Sequence, residues 1–320
     1  MTVRPLSFES FHGQKAAVQQ LGVAVRAAKN LKRPLGHILL VGPPGVGKTT
    51  LGAGVIPNEL GTTVVKQVNC SSLETPQDLL PTITTMPEGS VLFLDEIHSM
   101  PKQLCENLYT IMEDSFLNVV IGDDANRQVM KIDLPKFTII GATTREGLIP
   151  EPMRDRFKHT VRLDLYTDAE MAEVLVWIAK AVGVSGMGEG AAEWLVIACH
   201  GTARHAVRLI DACVETLAGD DNFNGETIVT KDVVKATMKR LGYGMNGLTK
   251  PEVQLLERLD KSPNKTAGLS TLAACLDEET ETVEDVYEPF LLRAGYIIRT
   301  PQGRQLTTFG QCSLDCTEWT

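Results

Sequence analysis

The sequence predicts a parallel α/β domain with helices flanking its sheet, followed by a small all-helical domain and a compact module of three helices and a hairpin. Three observations predict this. The glycine-rich stretch Gly42-Pro43-Pro44-Gly45-Val46-Gly47-Lys48-Thr49 lies between an apolar run, Ile38-Leu39-Leu40-Val41, and a helix start at Thr50-Leu51. A second apolar run, Val91-Leu92-Phe93-Leu94, ends in Asp95 and Glu96. Ligands of open α/β sheets bind at that carboxyl edge of the strands. At Tyr166-Thr167 the alternation of strand and helix gives way to helix alone.

The elements follow in order. Apolar positions Ala17, Val18, Leu21 and Val25 predict a helix over residues 14–30, closed by Pro34. After the glycine loop, Gly52, Gly54 and Pro57 weaken the expected helix, so a kink or early stop is predicted near Pro57. Residues 63–68 are a β-branched run and read as a strand. Helices are expected over 77–82 and 102–113, and residues 117–121 and 128–132 read as a hairpin around Gly122-Asp123-Asp124-Ala125-Asn126. Strands are expected over 137–145 and 161–165. Thr167 and Glu170 form a capping box that opens the helical domain, with further helices near 190–200, 202–217 and 231–241. Beyond the linker Gly242-Tyr243-Gly244-Met245-Asn246-Gly247, helices over 250–260, 270–276 and 283–294 precede a hairpin across Pro301-Gln302-Gly303-Arg304, which makes a winged helix. Pro289 falls inside the third of these helices, where nothing in the sequence explains it.

Composition bounds the function. A chain of 320 residues suggests two or three domains at roughly 150 residues each. It holds no apolar run long enough to cross a membrane. The segment Met1-Thr2-Val3-Arg4-Pro5-Leu6 carries no secretory h-region, so a cytoplasmic protein is expected. The net charge of −9 argues against a broad basic face but leaves room for a small, placed nucleic-acid contact. From residue 245 onward seven basic residues face twelve acidic ones, a net of −5. Only the wing, with Arg299 and Arg304, offers phosphate contacts there. The seven cysteines are scattered without a C-x-x-C pair and read as reduced thiols. Cys312 and Cys316 alone do not complete a zinc site.

The loop fits G-x-x-x-x-G-K-[ST]. Its glycines let several backbone N–H groups face one point, where phosphate binds. Lys48 then reaches the β- and γ-phosphates, and the Thr49 hydroxyl ligates Mg²⁺. Asp95 is placed to hold Mg²⁺ through water, and Glu96 to orient and deprotonate an attacking water. Thr143 and Thr144, at a strand end, either stand between Glu96 and the γ-phosphate or merely cap a turn. Arg154 and Arg156 lie on a short segment that reads as exposed. Arg204, at a helix start, has the reach for a nucleotide phosphate.

These motifs, from about residue 4 to 311 and in the same order, resemble RuvB, the ring-forming AAA+ ATPase family of Holliday-junction branch migration. The resemblance rests on GPPGVGKTT over residues 42–50, DEIH over 95–98, GATTR over 141–145, RTPQGR over 299–304 and VYEPFL over 286–291. It implies a P-loop AAA+ domain over 1–166 with an inserted hairpin at 117–132, a helical lid over 167–244, a winged-helix DNA-binding domain over 245–311 and a tail over 312–320. It implies that Gly42, Gly45, Val46, Gly47, Lys48, Thr49 and Thr50 bind ATP, with Arg4, Pro5 and Tyr166 as the adenine pocket. Thr144 matches the family's sensor 1, Arg204 its sensor 2, and Arg156 the arginine finger that reaches a neighbouring subunit, with Arg154 as the fallback. Arg299 and Arg304 match the wing's DNA contacts. The expected partners are four-way or duplex DNA, further copies in a hexameric ring, and a RuvA-like protein on the hairpin. The alternatives are a clamp-loader-like or protein-remodelling ATPase and a nucleotide-switched DNA-binding protein without motor activity.

Overall fold

The computed structural model describes residues 4–62, 64–121, 128–220, 223, 225–244 and 246–314. They fall into two compact units. The first holds the residues up to Gly42 together with Gly47–Asp164; the second holds Pro43–Val46 and the residues from Leu165 on.

The first unit is built on β1 (Ile38–Val41), β2 (Val65–Asn69), β3 (Val91–Asp95), the hairpin strands β4 (Phe116–Ile121) and β5 (Gln128–Asp133), β6 (Thr138–Thr143) and β7 (His159–Arg162). Five of these form one parallel sheet in the order β2-β3-β6-β1-β7, and β4 and β5 pair antiparallel apart from it. Every residue of β1 and β6 is buried, as expected of central parallel strands covered on both faces. At the edge, β7 starts two residues earlier than its apolar pattern suggested, because its register with β1 matches Ile38 to His159 and Val41 to Arg162. The helix Lys15–Asn30 buries Ala17, Leu21, Val25 and Ala28, so its predicted face is the packed one. The hairpin tip, residues 122–127, lies outside the described residues.

The helix after the glycine loop does not end at Pro57. It passes from an α turn (Lys48–Thr50) through a π-helical turn (Leu51–Val55) into a second α segment (Ile56–Leu60), and it ends at Gly61 with φ 77°. Ile56, just before the proline, donates to the Leu51 carbonyl five residues back rather than four. The wider turn gives room where the proline ring would otherwise meet a carbonyl. Gly52 has a separate reason: a Cβ there would lie 2.3 Å from Cε2 of Phe93 on β3. The third helix of the C-terminal module solves the same problem in the same way. It runs Thr280–Thr282, then a π turn Val283–Tyr287, then Glu288–Arg293, with Glu288 donating to Val283 just before Pro289.

The second unit holds four helices, Asp168–Val182, Ala191–Ala198, Ala203–Ala218 and Lys231–Arg240, and a minimal parallel pair, β8 (Gly186–Met187) and β9 (Ile228–Val229). The Thr167–Glu170 capping box is formed, with the Thr167 hydroxyl accepting from the Glu170 N–H at 3.3 Å. The winged helix adds Lys250–Asp260, Leu269–Leu276, the π-interrupted helix, and β10 (Thr266–Ala267), β11 (Ile297–Thr300) and β12 (Gly303–Leu306) in the order β10-β12-β11. A last helix, Thr308–Leu314, occupies chain that the sequence assigned partly to a strand and partly to a tail. It carries Cys312, which is exposed, while Cys316 lies outside the described residues.

A buried acid sits at the start of the winged helix. Glu252 caps its own helix, accepting from the N–H and hydroxyl of Thr249 at 2.7 Å each, and its other oxygen lies 3.3 Å from Nδ1 of His200. The His200 ring stacks on Phe290 at 3.8 Å, and its Nε2 lies 2.8 Å from the Gly247 carbonyl oxygen. A carbonyl only accepts, so Nε2 carries a hydrogen and the Nδ1–Glu252 contact needs one shared proton. Burial pushes the Glu252 carboxyl up to about 7 and the His200 imidazole down to about 4. The raised carboxyl contributes stability that is lost as pH rises from 4.5 through 7; the depressed imidazole contributes stability that is lost as pH falls from 6.5 through 4. Between about 4.5 and 6.5 the two trends offset, so net losses remain only at the two ends, from pH 6.5 to 7 and from pH 4.5 down to 4. Thermal unfolding of the wild type should therefore show a midpoint that is level from about pH 4.5 to 6.5 and declines between pH 6.5 and 7. Glu252→Gln, whose amide donates to Nδ1 without titrating, should leave the midpoint flat above pH 6.5. An unchanged decline in this variant would remove the pair as its cause.

Candidate nucleotide site

The three central strands of the first unit set the site. β1, β6 and β3 are neighbours in parallel register, with Val41 opposite Thr143 and Leu94 opposite Gly141. Their carboxyl ends bring the glycine loop, Thr143-Thr144 and Asp95-Glu96 to one sheet edge. The Gly42 N–H continues the β1–β6 ladder to the Thr143 carbonyl at 3.2 Å. A Cβ on Gly42 would lie 2.2 Å from the Leu163 carbonyl oxygen, so only glycine fits where the loop leaves the sheet. Gly47, with φ 105°, turns the chain into the helix through a conformation that glycine alone adopts freely.

Lys48 is buried, and its ammonium donates to the Gly42 carbonyl at 2.7 Å across the loop. The Thr49 hydroxyl donates to Asp95 Oδ2 at 3.2 Å. A hydroxyl facing a carboxylate is an oxygen donor set of the kind a hard divalent cation takes. Among the described residues no group of three His, Cys, Asp or Glu side chains could cage a metal. Such a cation would take its remaining oxygens from phosphate and water, which is the habit of Mg²⁺. The residues thus fit both a nucleotide triphosphate and Mg²⁺.

Glu96 holds φ 47°, a left-handed conformation costing a non-glycine residue about 1–3 kcal/mol and concentrated at functional sites. The Thr144 hydroxyl donates to Glu96 Oε2 at 3.4 Å. Thr143, fully buried, accepts from the Arg145 N–H at 3.0 Å and lies 3.0 Å from Nδ1 of His98. The two readings of this pair therefore divide between its members: Thr143 closes the turn and Thr144 reaches the acid. His98 had no role in the sequence reading beyond its place in the DEIH motif. Its Nδ1 also lies 3.3 Å from Glu96 Oε2, so it helps hold the carboxylate.

The other sequence-predicted residues of this unit lie on different elements. Arg156 pairs with Glu113 at 3.0 Å, lies over the Tyr109 ring at 4.7 Å and donates to the Pro152 carbonyl. Glu113 and Tyr109 went unnoticed in the sequence because they sit on a separate helix, Lys102–Asp114. Arg154 is half-buried on the short helix Glu151–Arg154. Arg4 is exposed and Pro5 half-buried. The segment after them is tied to Ile56–Leu60 by Asn58 donating to the Leu6 carbonyl at 2.8 Å and by the Phe8 N–H donating to Glu59 at 3.0 Å. Thr50 is half-buried, one residue beyond Thr49.

The second unit holds the rest of the loop. Tyr166 is buried, and its hydroxyl donates to the Val46 carbonyl at 3.1 Å; burial pushes the phenol up, well out of the neutral range. Arg204 lies in the first turn of Ala203–Ala218, capped by Thr202, and its N–H donates to the Gly45 carbonyl at 3.3 Å. Gly45 has φ 80°. The wing arginines face each other across β11 and β12, and both close on Glu288, which is 0% exposed. Arg299 donates to Glu288 Oε2 from Nη2 at 2.8 Å, and Arg304 donates to both carboxylate oxygens. The Arg299 side chain stays 52% exposed and that of Arg304 only 14%. Arg304 is thus largely an internal partner, a role the sequence did not reveal.

Comparison with known proteins agrees with this geometry. Residues 3–163 match the family described as Holliday junction DNA helicase RuvB P-loop domain, and residues 245–315 match RuvB C-terminal winged helix domain. The chain is 41% identical over 307 residues to the Holliday junction branch migration complex subunit RuvB of Campylobacter fetus, covering 96% of this chain and 87% of that one. The corresponding protein of Staphylococcus saprophyticus is 37% identical over 310 residues, at 97% and 91% coverage. The solved Thermotoga maritima RuvB Holliday junction branch migration motor superposes with a TM-score of 0.84 at 34% identity, covering 99% of each chain. With family models matching both the P-loop domain and the winged helix, and relatives about 40% identical over nearly the whole chain, the chain belongs to the RuvB family.

Proposed function

We propose that this chain is an ATP-dependent DNA motor, hydrolysing ATP at the subunit interfaces of a hexameric ring to drive branch migration of four-way junctions. The observation that carries this reading is the meeting of Thr49 with Asp95 and of Thr144 with Glu96 at the edge where the glycine loop emerges. A nucleotide-binding switch needs only the loop; a hydrolase also needs a positioned base. The division into residues 1–166, 167–244, 245–311 and 312–320 goes with this reading as AAA+ domain, lid, winged helix and tail.

Each residue has a task. Gly42, Gly45, Val46, Gly47 and Thr50 offer backbone to the phosphates, and Lys48 exchanges its bond to the Gly42 carbonyl for a phosphate oxygen. Mg²⁺, when bound, offsets the charge of the phosphates; Thr49 holds it directly and Asp95 through water. Glu96 orients the attacking water and takes its proton, while Thr144 and His98 fix the carboxylate. Arg4, Pro5 and Tyr166 receive the adenine, and Arg204 reads the phosphate from the lid. Arg156 serves the neighbouring subunit once released from Glu113. Arg299, and to a lesser degree Arg304, contact DNA phosphate, and the hairpin over 117–132 docks a RuvA-like partner. The names of the relatives support the DNA and partner roles. No helix among the described residues is long and apolar enough to cross a membrane, and the proposed place of action is the cytoplasm.

Lys48→Ala should abolish ATP turnover while leaving DNA binding measurable. ATPase rate compared across four-way junction, linear duplex and no DNA should rise most with the junction; a rate indifferent to all DNA would favour the protein-remodelling reading. Glu96→Gln and Arg156→Ala should each be inactive alone. Mixed in equal amounts, they should recover activity, because about a quarter of interfaces then join an intact Glu96 to an intact Arg156. No recovery from exchanging subunits would place Arg156 outside the neighbour's site.

A further inference from the structure

Arg293 ends the third helix of the winged helix, far in sequence from every motif that carries nucleotide chemistry. Its Nη1 donates to the Tyr166 carbonyl at 2.5 Å. The guanidinium lies against Gly201, where a Cβ would stand 2.3 Å from Nη1 and 2.5 Å from Nη2. Gly201 has φ 68°, a left-handed conformation that favours glycine, and a Cβ there would push the Arg293 guanidinium aside. The Gly201 carbonyl accepts from the Tyr166 N–H at 2.8 Å. Arg293, Tyr166 and Gly201 are thus one hydrogen-bonded and packed cluster.

Two bonds lead from this cluster to the glycine loop. The Tyr166 hydroxyl donates to the Val46 carbonyl at 3.1 Å. Thr202, next to Gly201, caps the helix whose Arg204 N–H donates to the Gly45 carbonyl at 3.3 Å. Both bonds fall on the part of the loop grouped with the second unit, Pro43–Val46. A carbonyl accepting from a guanidinium is held more strongly than one accepting from a neutral donor. Tyr166 follows Leu165, where the chain enters the second unit, so a clamp on its carbonyl fixes the chain at that entry.

We propose that Arg293 is a positioning residue for nucleotide binding: from the winged helix it fixes Tyr166 and the Gly201-Thr202 step, and through them the Val46 and Gly45 carbonyls of the P-loop. The inference rests on the reading of Tyr166 as part of the nucleotide pocket. Because binding free energies are reciprocal, nucleotide occupancy in turn stabilises the winged helix in this arrangement.

The test is equilibrium binding of a fluorescent N-methylanthraniloyl ADP to the full chain, with steady-state ATPase beside it. Arg293→Ala should weaken binding on the order of tenfold, the low end for a lost charged hydrogen bond because the arginine is partly exposed. KM should rise while kcat stays nearly constant, a split that general destabilisation would not produce. Arg293→Lys keeps a cationic donor and should recover most of the affinity, which also keeps the test decisive if the alanine variant folds poorly. Wild-type affinity in both Arg293 variants, with weakened binding in Tyr166→Ala, would overturn the inference and leave the pocket reading standing. Wild-type affinity in Tyr166→Ala as well would overturn both.

Discussion

The pairing of β1 with β6 is the constraint on which the site depends. Their parallel register sets Val41 against Thr143 and extends through Gly42, so the glycine loop and the threonine pair leave the sheet side by side. β3 on the other side of β6 adds the acids. A one-residue slip in a strand exchanges its two faces; here it would exchange Thr143, which closes the turn and holds His98, with Thr144, which meets Glu96. Gly141 guards the arrangement from below. A Cβ at this position would stand 2.9 Å from Cδ1 of Ile97, whose side chain, next to Glu96, would have to shift.

Two buried carboxylates in the second unit meet the cost of desolvation in different ways. Glu252 shares a single proton with His200 and so avoids a lone charge. Glu288 stays with two guanidinium groups, Arg299 and Arg304, which Glu284 also approaches at 3.3 and 3.5 Å. Removing one partner from such a cluster leaves an uncompensated buried charge, which is far costlier than losing a surface pair. The net acidity of the C-terminal module therefore overstates the charge it shows to solvent, since Glu252 and Glu288 are both internal. The same clusters connect elements: Glu252 links the winged helix to His200, just past the helix Ala191–Ala198, and Glu288 links the third helix to the wing.

Local chemistry made much of the fold legible. The glycine loop, the apolar strands ending in acids, the Thr167 cap and the hairpin each carry their signal within about ten residues, and each stands where that signal put it. What escaped was contact at a distance. Tyr166 bonds Val46 across 120 residues and Arg293 bonds Tyr166 across 127, and no spacing rule reaches that far. His98 was passed over because one histidine after two acids is chemically ambiguous until Thr143 is known to be beside it. β10 has two residues and no pattern of its own; it exists because β12 offers an edge. The prolines misled in one direction, since helix propensity treats an interior proline as a stop and takes no account of a wider turn.

Those wider turns make helix length a fixed quantity. Each π turn amounts to one extra residue held inside a helix. Removing a residue from Leu51–Val55 would restore ordinary α geometry and leave the later residues on the faces they hold now, but the proline ring would then meet the carbonyl four residues back. Ile56 and Pro57 are both buried, so the chain could not relieve that clash by turning the proline to solvent. The same count binds Val283–Tyr287, where an ordinary α turn would set the ring of Pro289, one residue after Glu288, against a carbonyl. In these two helices the chain tolerates a change of side chain more readily than a change of length, and a relative lacking either proline would be free to shed the extra residue.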